Sequence, residues 1–175
     1  MANKTFDAVV IGGGIIGVSS AYHLARRGVR RVAILEKGPQ VAAGSTGQSS
    51  AIVRQRYANI EVIQLAHASL RMFQDWRERL ELRESRCRFS PVGVVWIAEG
   101  DPDDDARSAQ LFERVRASGG VYPVEELRKR YPSLNLCTRQ LDMGGATHDC
   151  AAPSGLFWEP EGGFADPQGT AEDLL

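Results

Sequence analysis

Cysteine is scarce in this chain, and the little there is has no pattern. Cys87, Cys137 and Cys150 are odd in number and show no C-x-x-C or His-paired spacing, so neither a disulfide framework nor a zinc site is indicated. They read as free thiols. His23, His67 and His148 form no H-x-x-x-H arrangement either, and a helix-surface or loop position suits each better than a metal; no metal is expected. An excess of charge is missing too. Lysine and arginine total 21 against 22 acids, and a net charge of −1 gives no electrostatic reason to expect nucleic acid or an anionic membrane surface. Long apolar runs are also absent: the longest, Ala8 to Val18, is interrupted by four glycines and falls far short of the ~20 residues that cross a bilayer. With Lys4 as the only basic residue ahead of it and no small-residue cleavage site behind it, that run does not read as a signal peptide, and the cytoplasm is the expected compartment.

What remains is a chain of 175 residues with ordinary globular composition, organised around residues 6 to 37. Val9-Val10-Ile11 is a β-branched run of the kind found in a parallel strand covered by helices on both faces. Gly12, Gly14 and Gly17 then occupy the marked positions of G-x-G-x-x-G. That motif combines a tight turn, close approach of backbone to a pyrophosphate and close packing of helix on sheet. Ile15, Val18, Ala21, Tyr22 and Ala25 recur at helical steps to Arg27, and Gly28 stands where a left-handed terminating residue belongs. The helix therefore directs its free N–H groups at an anion. Val32-Ala33-Ile34-Leu35 forms the second strand, ending in Glu36, whose carboxylate suits both hydroxyls of an adenosine ribose and would repel a 2′-phosphate. Strand, glycines, helix, strand and acid follow one another in the order a dinucleotide site requires.

The stretch Gly38 to Ser50 is rich in glycine and hydroxyl side chains. It reads either as a flexible surface loop or as a phosphate- or flavin-contacting loop, and its place after the second strand, at the carboxyl edge of the sheet, favours the second. Ala51-Ile52-Val53 is a short apolar segment. Arg54 and Arg56, just beyond, are equally readable as solvated charges or as planar donors facing a carboxylate or an anionic ring.

Asn59 caps an expected helix carrying Ile63, Ala66, Leu70, Phe73, Trp76 and Leu80 on one stripe. A strand follows at Val92 to Ala98, then an acidic turn at Gly100 to Asp105 feeding a helix that ends near Ala117. A short helix at Val124 to Arg130 precedes an irregular region reaching Asp149. Gly155 to Trp158 and Gly163 to Ala165 read as two arms of a hairpin around Glu159-Pro160-Glu161-Gly162, and a last helix is expected from Gln168 to Leu175.

Val9 to Gly17, Ala21, Leu24-Ala25, Gly28, Glu36-Lys37, Gly44-Ser45-Thr46-Gly47, Arg54 and the later Gly162-Gly163-Phe164-Ala165-Asp166-Pro167 together resemble the FAD-dependent D-amino-acid-oxidase family. Its members include sarcosine oxidase, glycine oxidase and dimethylglycine dehydrogenase, and the sarcosine oxidase β subunit is the nearest in look. The resemblance implies an α/β fold in three parts. Residues 1–84 would form a Rossmann-like FAD-binding βαβ part, 85–151 the beginning of an α+β substrate domain, and 152–175 a segment returning towards the FAD part. It implies FAD as cofactor, with Gly12, Gly14, Ile15, Ile16 and Gly17 at the pyrophosphate and Glu36 and Lys37 at the ribose. Gly44, Ser45, Thr46, Ser49 and Ser50 would line the way to the flavin, with Arg54 close to flavin or substrate.

The implied reaction is oxidation of the C–N bond of a small amine or amino acid by hydride transfer to the flavin. Ala51 stands where some members carry a basic residue, which leaves oxidase and dehydrogenase chemistry both open. Family members are much longer, so the chain reads as an N-terminal piece, with catalytic residues not assigned and the missing half supplied by further sequence or by a partner chain. Two alternatives stay open: a non-catalytic dinucleotide-binding subunit, and an NAD-dependent dehydrogenase, which fits the βαβ unit but not the hydroxyl loop.

Overall fold

A computed structural model describes residues 5–97, 102–135 and 155–175. The acidic turn at Gly100-Asp101 and the stretch to Asp149, with Cys137, His148 and Cys150, lie outside the described residues. The chain divides into two compact units, one made of Met1–Val53, Arg71–Ser90 and Phe164–Leu175, the other of Arg54–Leu70 and Pro91–Gly163.

In the first unit β1 (Ala8–Ile11) runs parallel to β2 (Val32–Leu35), with Ala8 opposite Val32 and Ile11 opposite Leu35. Between them α1 (Ile15–Arg26) buries Val18 and Ala21. The helix ends as its sequence predicts: Gly28 takes φ +94°, and the Val29 N–H closes back onto the Leu24 carbonyl. The expectation of a strand covered on both faces is corrected. Val9, Ile11 and Leu35 are 51%, 87% and 57% exposed, because α1 packs only on the other face, against Ile34 among others. Val18, Ala42, Trp76, Cys87, Ala165, Ala171 and Leu174 form the core of this unit.

The helix expected to carry both Phe73 and Trp76 is broken in two. α2 (Ile60–Gln74) stops before Asp75, and α3 (Trp76–Arg79) is a single turn. Across the break Phe73 and Trp76 stack, ring centroids 5.3 Å apart and planes 12° apart. The last helix, here α6 (Pro167–Glu172), starts on the Asp166 carboxylate, which accepts from the Gly169 N–H, and is shorter than expected. Just after it, the Asp173 carboxylate accepts from Trp76 Nε1, Ser85 Oγ and the Arg86 and Cys87 amides, which pins the chain's end to residues 85–87. Cys87 is fully buried beside this junction, and burial pushes its thiol pKa up. Alkylation by iodoacetamide at pH 8 is therefore expected to spare Cys87 until denaturant unfolds the unit, as read by mass spectrometry of the Cys87 peptide. Ready labelling in the native chain would contradict this packing.

In the second unit β4 (Val94–Trp96), β6 (Gly155–Glu159) and β5 (Gly120–Pro123) make an antiparallel sheet with β6 at its centre. This overturns the expected hairpin. The turn at Glu159 to Gly162 is real, with the Gly162 N–H on the Glu159 carbonyl, but β6 pairs with β4 and β5, whereas the second arm, β7 (Gly163–Phe164), pairs with β3 (Ile52–Val53), and Phe164 bonds to Ser90. Strand β5 went unforeseen, being four residues that begin with glycine and end with proline. Along β6 the side chains alternate. Leu156 packs with Val124 and Leu127 of α5 (Val124–Arg130), while Phe157 packs on Phe112 of α4 (Pro102–Val115) and on Ile63. Glu159 is also fully buried. No described helix is long and apolar enough to cross a membrane.

Candidate functional site

The first unit's site is built from β1, the turn into α1, the tip of β2 and the loop after it. Gly12 leaves β1 at φ +103°, a left-handed conformation that a side chain would strain, and its N–H still reaches the Leu35 carbonyl at 2.8 Å. A Cβ on Gly17 would collide with the Gly12 carbonyl oxygen, so helix and turn close together only because both positions are glycine.

Glu36 closes the other side. Its Oε2 accepts the Gly13 N–H at 2.6 Å and its Oε1 accepts the Gly38 N–H at 2.7 Å. These amides, that of Gly38 foremost, hold the carboxyl below its ordinary pKa. Each oxygen uses one lone pair on the backbone and retains another. A cavity of about 440 Å³ opens here, lined by Ile11, Gly12, Leu35, Glu36 and Lys37. It has an apolar floor beside a fixed acceptor, as an adenosine requires.

The hydroxyl loop folds over the start of α1. Ala42, buried, donates its N–H to the Gly13 carbonyl at 2.9 Å, and the Gly47 N–H returns to the Ala42 carbonyl. This brings Thr46 onto the helix, where its Oγ1 accepts the Ile15 N–H at 3.0 Å. Gly14, which precedes the helix, offers no side-chain cap. Gly12, Gly14, Ile15, Gly17, Glu36, Lys37 and Thr46 thus come together around one turn. Ser45, Ser49 and Ser50 lie exposed on the same loop, Ser49 Oγ accepting the Ala51 N–H, and Ile16 is 80% exposed.

Arg54 belongs to the second unit. Its guanidinium lies 4.6 Å from the Tyr57 ring centroid and 4.7 Å from that of Trp96, and Nη1 donates to the Arg56 carbonyl. Neighbouring Arg56 is paired with Asp104 and Asp105 at 3.0 and 2.7 Å. Among the described residues Arg54 makes no ion pair; a cavity of about 300 Å³ opens here on Arg54, Arg56, Tyr57, Trp96, Asp104 and Ser108, so one acid shares it with the two arginines. The segment is held from beneath by Glu159, which accepts the Gln55 and Arg56 amides and Trp96 Nε1. Sequence reasoning passes over Trp96 and Glu159. The one signal available was an acid at an inward position of the alternation in β6.

A family model described as "DAO: FAD dependent oxidoreductase" matches residues 7–175. The sarcosine oxidase β subunit of Arthrobacter sp is 28% identical over 162 residues, covering 85% of this chain and 39% of that protein. Mitochondrial dimethylglycine dehydrogenase of Rattus norvegicus is 39% identical over 133 residues, covering 74% of this chain and 15% of that protein. Among solved structures, L-proline dehydrogenase from P. horikoshii superposes with a TM-score of 0.76 at 22% identity, over 98% of this chain and 41% of the other. Glycine oxidase from Bacillus cereus ATCC 14579 does so with a TM-score of 0.72 at 20% identity, over 97% and 42%. The two structures share the fold, and this chain spans well under half the length of each of these relatives. Because the family match takes in residues 7–175, the chain belongs to the FAD-dependent oxidoreductases.

Proposed function

We propose that the chain is the FAD-binding portion of an oxidoreductase that oxidises the C–N bond of a small amine or amino acid, with Arg54 facing the substrate's carboxylate. The observation that carries the reading is Glu36, a carboxylate fixed by the Gly13 and Gly38 amides at the mouth of the glycine turn, beside an apolar cavity. The donor set fits FAD. Gly12 and Gly14 would lie against the diphosphate while Gly17 lets the helix close onto the turn, Glu36 would take the adenosine ribose with Lys37 beside it, and the loop Gly44 to Ser50 would supply hydroxyls along the diphosphate towards the ring. When bound, the flavin accepts a hydride from the carbon bearing the nitrogen.

The chain's own residues orient and bind. Arg54, braced by two aromatic rings and a backbone carbonyl, presents a planar pair of N–H groups, which suits the carboxylate of a sarcosine- or glycine-like substrate. That relatives carry names of sarcosine, dimethylglycine and glycine enzymes supports this substrate class. The exposed apolar face formed by Val9, Ile11 and Leu35 supports a further reading, that more polypeptide, in the same or a partner chain, covers this sheet in the working enzyme.

Titration of the chain with FAD, followed by quenching of flavin fluorescence, is expected to show binding that NADH does not displace. NADH bound more tightly than FAD would overturn the assignment. In the flavin-loaded protein, glycine or acetate is expected to perturb the flavin absorbance, and Arg54→Met to raise their dissociation constants roughly tenfold. Unchanged constants in that variant would remove Arg54 from the substrate site.

A further inference from the structure

The cavity at Arg54 is lined by two guanidiniums, and one of them is already spent. Arg56 gives Nη2 to Asp104 Oδ2 at 3.0 Å and to Asp105 Oδ1 at 2.7 Å, and it lies over the rings of Trp96 and Phe157, 5.2 and 4.6 Å from their centroids. Its side chain is only 12% exposed, which leaves a ligand little of it to touch. Asp104 differs. It stands on the cavity wall in the first turn of α4 with its side chain 56% exposed, and its other oxygen is 3.8 Å from Arg107, itself exposed.

Resting on the reading of Arg54 given above, we propose that Asp104 is a specificity-determining residue, which confines the site to molecules carrying one carboxylate and turns dicarboxylates away. A first carboxylate takes Arg54, the guanidinium of this wall that no acid among the described residues answers. A second carboxylate on the same small molecule is confined to about 300 Å³, where it meets the Asp104 charge and an Arg56 whose inner donor is already shared between two acids. Selection then comes from repulsion of the wrong ligand, with no added attraction for the right one. A methyl group is indifferent to that acid and a protonated amine is drawn to it, so glycine and its N-methyl derivatives pass. Because Asp104 is more than half exposed, water screens it, and the discrimination is expected to be roughly tenfold, well short of that between buried like charges.

The test follows the Trp96 indole N–H resonance of the ¹⁵N-labelled 175-residue chain at low ionic strength and neutral pH, titrated with acetate and with malonate, in the parent and in Asp104→Asn, Asp103→Asn and Arg54→Met. Asparagine keeps an acceptor for Arg56 and removes only the charge; Asp103 shares the helix turn but not the cavity wall, so it controls for net charge. Melting temperatures check that each variant is folded. The parent is expected to bind acetate roughly tenfold more tightly than malonate, Asp104→Asn to bring malonate within about twofold of acetate, and Asp103→Asn to keep the parent's ratio. Malonate bound by the parent as tightly as acetate, or a tenfold preference that persists in Asp104→Asn, would overturn the proposal while leaving Arg54 as the carboxylate's partner. So would an equal change of ratio in Asp103→Asn, which would leave only overall charge at work. Acetate binding that Arg54→Met does not weaken, or a parent that binds neither anion, fails at the earlier step, the reading of Arg54, and the proposal falls with it.

Discussion

Replacing Glu159 with alanine is expected to destabilise the second unit by about 3 kcal/mol, within a range of roughly 2–5 kcal/mol, and to disorder the segment that carries Arg54. The carboxylate is fully buried and accepts three N–H groups, those of Gln55, Arg56 and Trp96 Nε1. Alanine leaves all three donors without their acceptor, the Gln55 amide fully buried and the other two partly so, and an orphan buried donor costs about 1–3 kcal/mol. Removing a buried charge returns some desolvation energy, which is why the loss stays below the sum of three orphans. Glutamine separates the terms: it is nearly isosteric and keeps one acceptor, but turns an NH₂ group towards a backbone N–H, so about half the loss is expected. Guanidinium unfolding of the whole chain, followed by tryptophan fluorescence, measures both variants. A loss under about 1 kcal/mol for alanine would show that the segment holds itself up without the acid.

How legible such features were in the sequence follows from how far apart their determinants lie. β1, α1, β2 and the Gly28 terminus were readable to within a residue because strand run, glycine spacing and helix stripe are all local. Glu36 was readable as an acid at a strand tip. Its second job, gripping the Gly13 and Gly38 amides, was not, since nothing in spacing announces a side chain that turns back onto its own loop. Glu159 lies 104 positions from Gln55, and Asp173 lies 88 from Ser85, and no periodicity connects residues across such distances. The false hairpin at Gly155 to Ala165 came from turn chemistry that is correct, with Pro160 and Gly162 in place. What turn chemistry cannot specify is which strands the two arms then choose, because that is decided by tertiary packing of Leu156 and Phe157 on separate faces.

Glu36→Ala is expected to weaken FAD by roughly ten- to a hundredfold, the range for losing charge-assisted hydrogen bonds, and to weaken adenosine by a similar factor because the contact is to the ribose. The substitution removes more than a ligand contact. The Gly13 and Gly38 amides lose their acceptor, so the glycine turn and the start of the following loop lose their common tie. Glu36→Gln keeps an acceptor for one amide but sets its NH₂ against the other, and is expected to recover part of the affinity. The pH dependence separates charge from shape. Glu36 is held below its ordinary value of 4.5 by the Gly38 and Gly13 amides. For a ligand the reference is the free folded protein, so the carboxylate contributes to binding above its lowered pKa and stops contributing as pH falls through it. Adenosine affinity in the parent should therefore be flat from neutrality to about pH 5 and fall only in stronger acid, while Glu36→Gln shows no such acid limb. An affinity already declining between pH 7 and 6, or unchanged by Glu36→Ala, would mean that the ribose is gripped elsewhere.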